Sequence, residues 1–209
     1  AIGMLASQDG GRMAGYGAIV SSGTLLAVIG HSGSAVLASG LYYLLGSTLA
    51  MAAFMLLIEL TERIRPPGAA LIAITMEAFA IEDKPEEPVG VGIPGSLAFL
   101  GLSFAACALV ISGMPPLAGF VAKFSLFHAM LASTAEMDGG VPTRTWVLIA
   151  LMVSGGLAAI IALMRLGVRT FWAAGVVTPP RLKVSEAAPV TALVLLCVLL
   201  TVQAGTVFD

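Results

Sequence analysis

Long apolar runs separated by short polar stretches dominate the pattern along the chain. A bilayer core of about 30 Å is crossed by about 20 apolar helical residues. The segments that meet this requirement are residues 13–30, 34–60, 95–133, 145–166 and 187–204. The pattern predicts an all-α fold, a polytopic transmembrane helical bundle that forms one domain over residues 1–209.

The third of these segments is too long to be one straight membrane helix. Its roughly 39 residues would extend about 58 Å at 1.5 Å per residue. Its middle contains Gly113-Met114-Pro115-Pro116, and each proline removes a backbone donor and clashes with the preceding turn. The segment must therefore break at residues 113–116, either into two complete spans or into one span with an unwound centre.

The basic residues distinguish these two arrangements. If the third segment crosses once, one membrane face receives only Arg144 and Lys123 stays within the membrane. The other face then receives Arg12, Arg63, Arg65, Lys84, Arg165, Arg169, Arg181 and Lys183. This asymmetry is a strong positive-inside pattern, whereas two crossings would place about five basic residues on one face and four on the other. One discontinuous crossing is predicted, with the basic loops around residue 12, at 61–94 and at 165–186 in the cytoplasm.

Composition agrees with a membrane protein. Hydrophobic residues make up 58% of the chain and charged residues 11%, against about 25% charged in soluble domains. The net charge of −2 gives no reason to expect nucleic-acid binding. We interpret Cys107 and Cys197, both within apolar runs, as small buried hydrophobes. The polar stretch 61–94 predicts a solvated connector with an interfacial helix near residues 69–80, and the apolar start of the chain suggests a missing N-terminal half.

Lys123 is the candidate on which function depends, since it is the one Lys or Arg far from the ends of any predicted span. A helix broken at membrane depth is tolerated only beside protein or a water-filled cavity, and transporters use such breaks to present helix ends to ions. A lysine there can accept and release a proton, which predicts a proton relay. The alternatives are that its ammonium snorkels to the outer interface, or that the chain is a membrane scaffold.

Weaker candidates for the same relay are His128, Tyr43, Ser47 and Glu59. His128 follows Lys123 by five residues, about 500° around a helix, and suits a proton exit or an interfacial role. The hydroxyls of the second span either line a water chain or bond to neighbouring carbonyls. Glu59 either feeds protons inward or is merely solvated. No nucleophile elbow, phosphate-binding Gly loop, cysteine pair or His cluster is visible in the sequence, so we expect no catalytic residue, cofactor or metal site.

One motif resembles a known family. Residues 113–124, GMPPLAGFVAKF, resemble the G-(L/M)-PP-x-x-GF-x-x-KF signature of the antiporter-like membrane proteins. That family includes the D-type subunit of the Mrp/Pha-type monovalent cation/proton antiporters and the proton-channel subunits of complex I. The helix start at residues 12–16 is also similar to the family's, although Gly15 and Gly17 flank Tyr16 here. Further stretches that resemble the D-type subunit are residues 20–26, 41–49 and 162–172.

The resemblance implies the C-terminal portion of a proton-conducting inner-membrane subunit that works with other antiporter subunits on protons and Na⁺ or K⁺. Its alternative is a proton-pumping subunit of an NADH:quinone oxidoreductase or a membrane-bound hydrogenase. We expect secondary transport rather than enzymatic chemistry. Lys123 would be the relay group, although Ser47 and Met51 stand where many relatives carry a His and a Lys. The broken-helix motif would be Gly113, Pro115, Pro116, Gly119 and Phe120.

Overall fold

The computed structural model of the chain describes residues 1–31, 33–64, 95–135, 140–172 and 183–205. Within these ranges every regular element is a helix, and the predicted all-α fold class is confirmed. The helices are α1 Ile2–Ala6, α2 Gly10–Ile29, α3 Ser34–Ile64, α4 Gly95–Ser112, α5 Ala118–Ala135, α6 Thr143–Gly167 and α7 Val184–Val202. A π-helical turn, Val168–Trp172, continues α6. The predicted interfacial helix at 69–80 lies outside the described residues, as does the connector beyond residue 64.

Five of these helices, α2, α3, α4, α6 with its π-helical turn, and α7, are long and apolar enough to cross a membrane. Helices α2 and α7 begin three residues before the predicted starts, because polar caps are invisible to an apolar pattern. Helix α2 begins at Gly10 rather than Met13, since the Asp9 carboxylate accepts a hydrogen bond from the Gly11 amide at 3.2 Å. Helix α7 begins at Val184, where Glu186 accepts from the Lys183 amide.

The long helices alternate in direction. Helices α2 and α3 form an antiparallel pair, in which Gly10 lies against Ile58 at one end and Gly40 against Val28 at the other. Helix α6 starts beside the α2–α3 turn, where the His31 ring bonds to Thr145. The beginning of α2 therefore shares one end of the bundle with the ends of α3 and α6. Helix α4 also begins at this end, because Phe104 lies against Phe54 and Phe171. Helix α7 begins there too, because Leu200, near the end of α7, accepts from Tyr42 near the start of α3.

Helices α4 and α5 lie in line along α3, which at 31 residues extends about 46 Å. Four pairs of residues that share a buried cluster define this alignment, because the position on α3 moves towards its start as the position on the broken segment moves towards its end. The pairs that share a buried cluster are Phe54 with Phe104, Ala50 with Val110, Tyr43 with Ala122, and Val36 with Met130. One continuous helix thus runs antiparallel to two consecutive shorter helices, with the break between them near its middle.

Aromatic packing fixes the lower end of this arrangement, the end at which α4 begins. The rings of Phe54 and Phe104 have centroids 5.9 Å apart, and Phe104 meets Phe171 of the π-helical turn edge to face at 5.5 Å. Such tilted aromatic pairs are favourable beyond the area they bury. Gly167 allows this contact, since a Cβ there would lie 2.8 Å from the Phe104 ring. The cluster ties α3, α4 and α6 together below the break.

Candidate functional site at the helix break

Helix α4 ends in a Schellman turn at Gly113. This glycine has φ +77°, a left-handed conformation that glycine adopts without a Cβ penalty. The Met114 amide donates to the Leu109 carbonyl at 3.0 Å, and the Gly113 amide donates to the Val110 carbonyl at 3.2 Å. These are the two bonds that define this type of helix end. The Pro115–Pro116 peptide bond that follows is cis.

The two prolines leave the last carbonyls of α4 without their usual hydrogen-bond donors. In a continuous helix the carbonyls of Ile111 and Ser112 would accept hydrogen bonds from the amides of residues 115 and 116. Both residues are prolines and have no amide proton. The last carbonyls of a helix also carry the negative end of its dipole, so the break places an unpaired negative pole inside the bundle.

Lys123 provides a hydrogen-bond donor for one of these carbonyls. Its Nζ atom donates a hydrogen bond of 2.7 Å to the Ser112 carbonyl oxygen. Lys123 lies on α5, which begins at Ala118, so the ammonium reaches back across the break to the helix before it. The ammonium thus lies beside the break and does not extend towards the outer end of α5. A cation at a helix C-terminus is favourable on both hydrogen-bonding and dipole grounds.

Three glycines create the space in which this contact forms. A Cβ added at Gly113 would lie 2.5–2.8 Å from the Lys123 Cδ, Cε and Nζ atoms. On α6, a Cβ at Gly156 would lie 2.7 Å from the Ser112 carbonyl oxygen and 3.2 Å from Lys123 Nζ. A Cβ at Gly119 would overlap the Val110 carbonyl oxygen, since the start of α5 crosses closely over the end of α4. Any larger side chain at these positions would force the break or the lysine to move.

A cavity of about 210 Å³ lies on the Lys123 side of the break, between α5 and α6. Lys123 is the one ionisable side chain among the residues that line it, and the remaining walls are apolar or backbone. The lining residues are Ser112, Gly113, Met114, Phe120, Lys123, Phe124, Phe127, Met152, Val153, Gly156 and Leu157. This volume could hold several water molecules beside the ammonium, at about 30 Å³ each.

A smaller cavity of about 10 Å³ lies against α2 and α3 and contains two of the predicted candidates. Tyr43 is buried, and its hydroxyl lies 3.3 Å from the Ser21 Oγ atom of α2. Ser47 also lines the cavity while donating to the Leu44 carbonyl at 3.2 Å. The structure therefore brings Tyr43 and Ser47 to the broken segment, where they meet residues 110–111 and Gly119.

The other candidates lie away from the break. His128 has an exposed side chain on α5, and Glu59 has an exposed side chain near the lower end of α3. His31, in the turn between α2 and α3, is half-buried, and its Nε2 atom lies 3.3 Å from the Thr145 hydroxyl oxygen. In the motif, Pro115, Pro116 and Phe120 are exposed, whereas Gly119 is buried.

Sequence reasoning missed three partners at this site: the Ser112 carbonyl, Gly156 and Ser21. The first had a readable signal, because residue 116 is a proline and cannot donate to it. Gly156 stands in a Gly-Gly pair within an apolar run, and nothing local says which helix it faces. Ser21 is one of two adjacent serines on α2, and only the packing of α2 on α3 shows that it meets Tyr43.

Comparison of the sequence with known proteins indicates which kind of protein carries such a site. No protein-family model matches the chain. Over 207 residues, or 98% of its length, it is 49% identical to a protein of Rhizobium meliloti (strain 1021) that is named as the probable D-type subunit of a K(+)/H(+) antiporter. The chain spans 38% of that relative's length. This similarity confirms the resemblance to the D-type subunit of the monovalent cation/proton antiporters that the motif predicted.

Proposed function

We propose that the chain is part of a proton-conducting subunit of a multisubunit monovalent cation/proton antiporter, and that Lys123 is its proton relay. The proposal is supported by one observation above all, the 2.7 Å bond from Lys123 Nζ to the Ser112 carbonyl at the helix break. A cation held by one backbone carbonyl beside a 210 Å³ cavity has room to exchange that partner for water. Proton transfer to and from water then changes the charge beside the end of α4.

The position of the break supports a role in crossing the membrane. Ser47 lies near the middle of α3 and Gly156 near the middle of α6, and both lie beside the broken segment. The break is therefore at mid-height of the bundle, where secondary transporters place their ion sites. A charged side chain at this depth is costly, and those that occur usually mark ion or proton pathways. We propose that α4 and α5 together form one discontinuous crossing.

The basic residues support a cytoplasmic assignment for the lower end of the bundle. Arg12 at the start of α2, Arg165 and Arg169 at the end of α6, and Lys183 before α7 all belong to this end. Arg144 belongs to the opposite end. Such an asymmetry places the basic end in the cytoplasm, and we propose a multi-pass protein of the inner membrane in this orientation.

Because the relative is named as part of a K⁺/H⁺ antiporter, we propose K⁺ as the first cation to test and Na⁺ as the second. The proposed partners are the other subunits of such an assembly. His128, Tyr43, Ser47 and Glu59 keep their proposed roles in the relay. Tyr43 and Ser47, which line the cavity against the broken segment, have the stronger support.

The test is K⁺/H⁺ and Na⁺/H⁺ exchange in membrane vesicles containing the complete antiporter, followed with a pH-sensitive dye. Lys123→Ala should abolish exchange. Lys123→Arg is the sharper variant, because arginine can keep the charge and the bond to Ser112 but cannot release its proton. It should also abolish exchange while the complex still assembles. Lys183→Ala, which changes an exposed lysine, is the matched control and should exchange normally.

Full exchange by both Lys123 variants would overturn the relay role. Exchange or proton pumping that occurs only with NADH would favour the alternative, a subunit of an NADH:quinone oxidoreductase. The quantity of assembled complex, measured by affinity purification through another subunit, separates lost chemistry from lost assembly.

A further inference from the structure

The double proline leaves a second carbonyl, and Lys123 does not satisfy it. Residue 115 lacks the amide proton that the Ile111 carbonyl would accept in a continuous helix. Among the described residues, no backbone or side-chain donor bonds to that carbonyl. Buried carbonyls are almost always paired with protein or ordered water. Ile111 is half-buried, so we expect its carbonyl to take a partner that the described protein groups around it do not supply.

Ile111 lines the small cavity together with three residues that carry hydroxyls, Ser21, Tyr43 and Ser47. The Ser21 and Tyr43 oxygens lie 3.3 Å apart, so only one of the two hydroxyl protons is used between them. The Ser47 hydroxyl donates to the Leu44 carbonyl, so its oxygen can still accept a hydrogen bond. The residues that line the cavity thus offer a carbonyl without a donor among the described residues, a hydroxyl with a proton to donate and hydroxyl oxygens that can accept.

We propose that this cavity binds a single water molecule, which donates to the Ile111 carbonyl and to a neighbouring hydroxyl and accepts from the Ser21–Tyr43 pair. A water needs about 10–15 Å³ of this kind of volume and two to four polar partners. The cavity provides about 10 Å³ and the partners named above. Its size admits one water and excludes a hydrated cation.

The two consecutive carbonyls of the break then have different partners on different sides of the broken segment. Ser112 is bonded to Lys123 beside the large cavity, and Ile111 is bonded to the water beside α2 and α3. If the proposed function holds, this water connects the hydroxyls to the break and so takes part in the proton path. The water site itself depends only on the carbonyl, the hydroxyls and the cavity.

The test fills the cavity without removing any hydroxyl. Gly46 is buried and lines the cavity, and a Cβ there meets no atom within 4 Å. Gly46→Ala should therefore place a methyl group where the water binds. Gly23→Ala is the matched control, because Gly23 also meets nothing within 4 Å but lies exposed on α2. Both changes raise helix propensity equally.

High-resolution structures of the complete antiporter are compared for the wild type and both variants. An ordered water within hydrogen-bond distance of the Ile111 oxygen is expected in the wild type and in Gly23→Ala, and not in Gly46→Ala. Proton exchange should fall at least about fivefold in Gly46→Ala alone, the smallest ratio expected from an unsatisfied buried polar group. A wild-type cavity without water would overturn the site even if Lys123 proves essential. If the water is present but Lys123→Ala leaves proton exchange unchanged, the relay role of Lys123 is overturned instead.

Discussion

Lys123 Nζ lies 2.7 Å from the carbonyl oxygen of Ser112, so a residue of α5 caps the helix that ends before it. The two residues are eleven positions apart in the chain and are separated by the break. This bond makes the lysine part of the helix end as well as a candidate for proton transfer. Loss of its charge would weaken this bond, because a neutral amine is a poorer donor than an ammonium, and would leave the negative end of α4 without its cation. Protonation and the geometry of the break are thereby coupled.

Gly156→Ala should disturb this bond from the neighbouring helix. The added methyl would lie 2.7 Å from the Ser112 oxygen and 3.2 Å from Lys123 Nζ, so the bond must lengthen or break. A charge-assisted hydrogen bond contributes about 1.5–3 kcal/mol, and exchange should fall about ten- to hundredfold. Initial rates of K⁺/H⁺ exchange in vesicles measure this effect.

Gly155→Ala is the control for this change on the same helix. A Cβ there meets only Val20, at 3.9 Å, an ordinary packing distance. Its exchange rate should match the wild type. Equal rates for Gly156→Ala and the wild type would show that the Ser112–Lys123 bond has no part in transport.

Gly113→Ala should lower stability and transport together. An alanine at φ +77° costs about 1–2 kcal/mol through left-handed strain alone, and its methyl would also overlap Lys123. Gly140 has φ +75° but nothing within 4 Å of its Cβ position. Gly140→Ala should therefore show the loss of stability without the loss of exchange.

Thermal unfolding of the purified complex, followed by intrinsic fluorescence, measures the first effect, and vesicle exchange measures the second. If Gly140→Ala reduced exchange as strongly as Gly113→Ala, the contact with Lys123 would not be the cause.

The sequence was sufficient for the fold class, since long apolar runs have few other uses, and the double proline alone predicted the break. The site was only partly predictable. Lys123 was identifiable because a cation far from any span end is conspicuous. Gly156 and Ser21 were not, because their importance comes from distant helices that meet at the break. Apolar periodicity in membrane helices does not distinguish the face that packs on protein from the face that meets lipid.

Substitutions at the adjacent residues Tyr42 and Tyr43 should separate an effect on stability from an effect on transport. The Tyr42 hydroxyl donates to the Leu200 carbonyl at 2.8 Å, a link between α3 and α7. The Tyr43 hydroxyl lies at Ser21 and lines the small cavity. Tyr42→Phe should lower stability by about 1 kcal/mol, the typical net value of a hydrogen bond, and leave exchange intact. Tyr43→Phe should slow exchange. Thermal unfolding and vesicle exchange measure the two effects. If Tyr42→Phe slowed exchange and Tyr43→Phe did not, Tyr43 would have no part in the relay.

Chemical rescue should show that the Lys123 site needs an amine and can be reached from water. In a background with Cys107→Ala and Cys197→Ala, which removes the two buried native thiols, Lys123→Cys should be inactive. Treatment with 2-bromoethylamine alkylates the Cys thiolate with loss of bromide and rebuilds a side chain of nearly lysine length that ends in an amine. The 210 Å³ cavity has room for the reagent. Exchange should return, and mass spectrometry of the protein should show the added aminoethyl group.

The same treatment of Thr48→Cys controls for non-specific effects of alkylation. Thr48 is exposed on α3, and its partners within the described part of the chain are the carbonyls of Leu44 and Leu45, so its modification should leave exchange unchanged. A fully alkylated Lys123→Cys protein that stays inactive would contradict the relay, since the amine would then be present without effect. Failure of the thiol to react at all would show that water and the reagent do not reach the cavity beside residue 123, because an accessible thiolate should be alkylated.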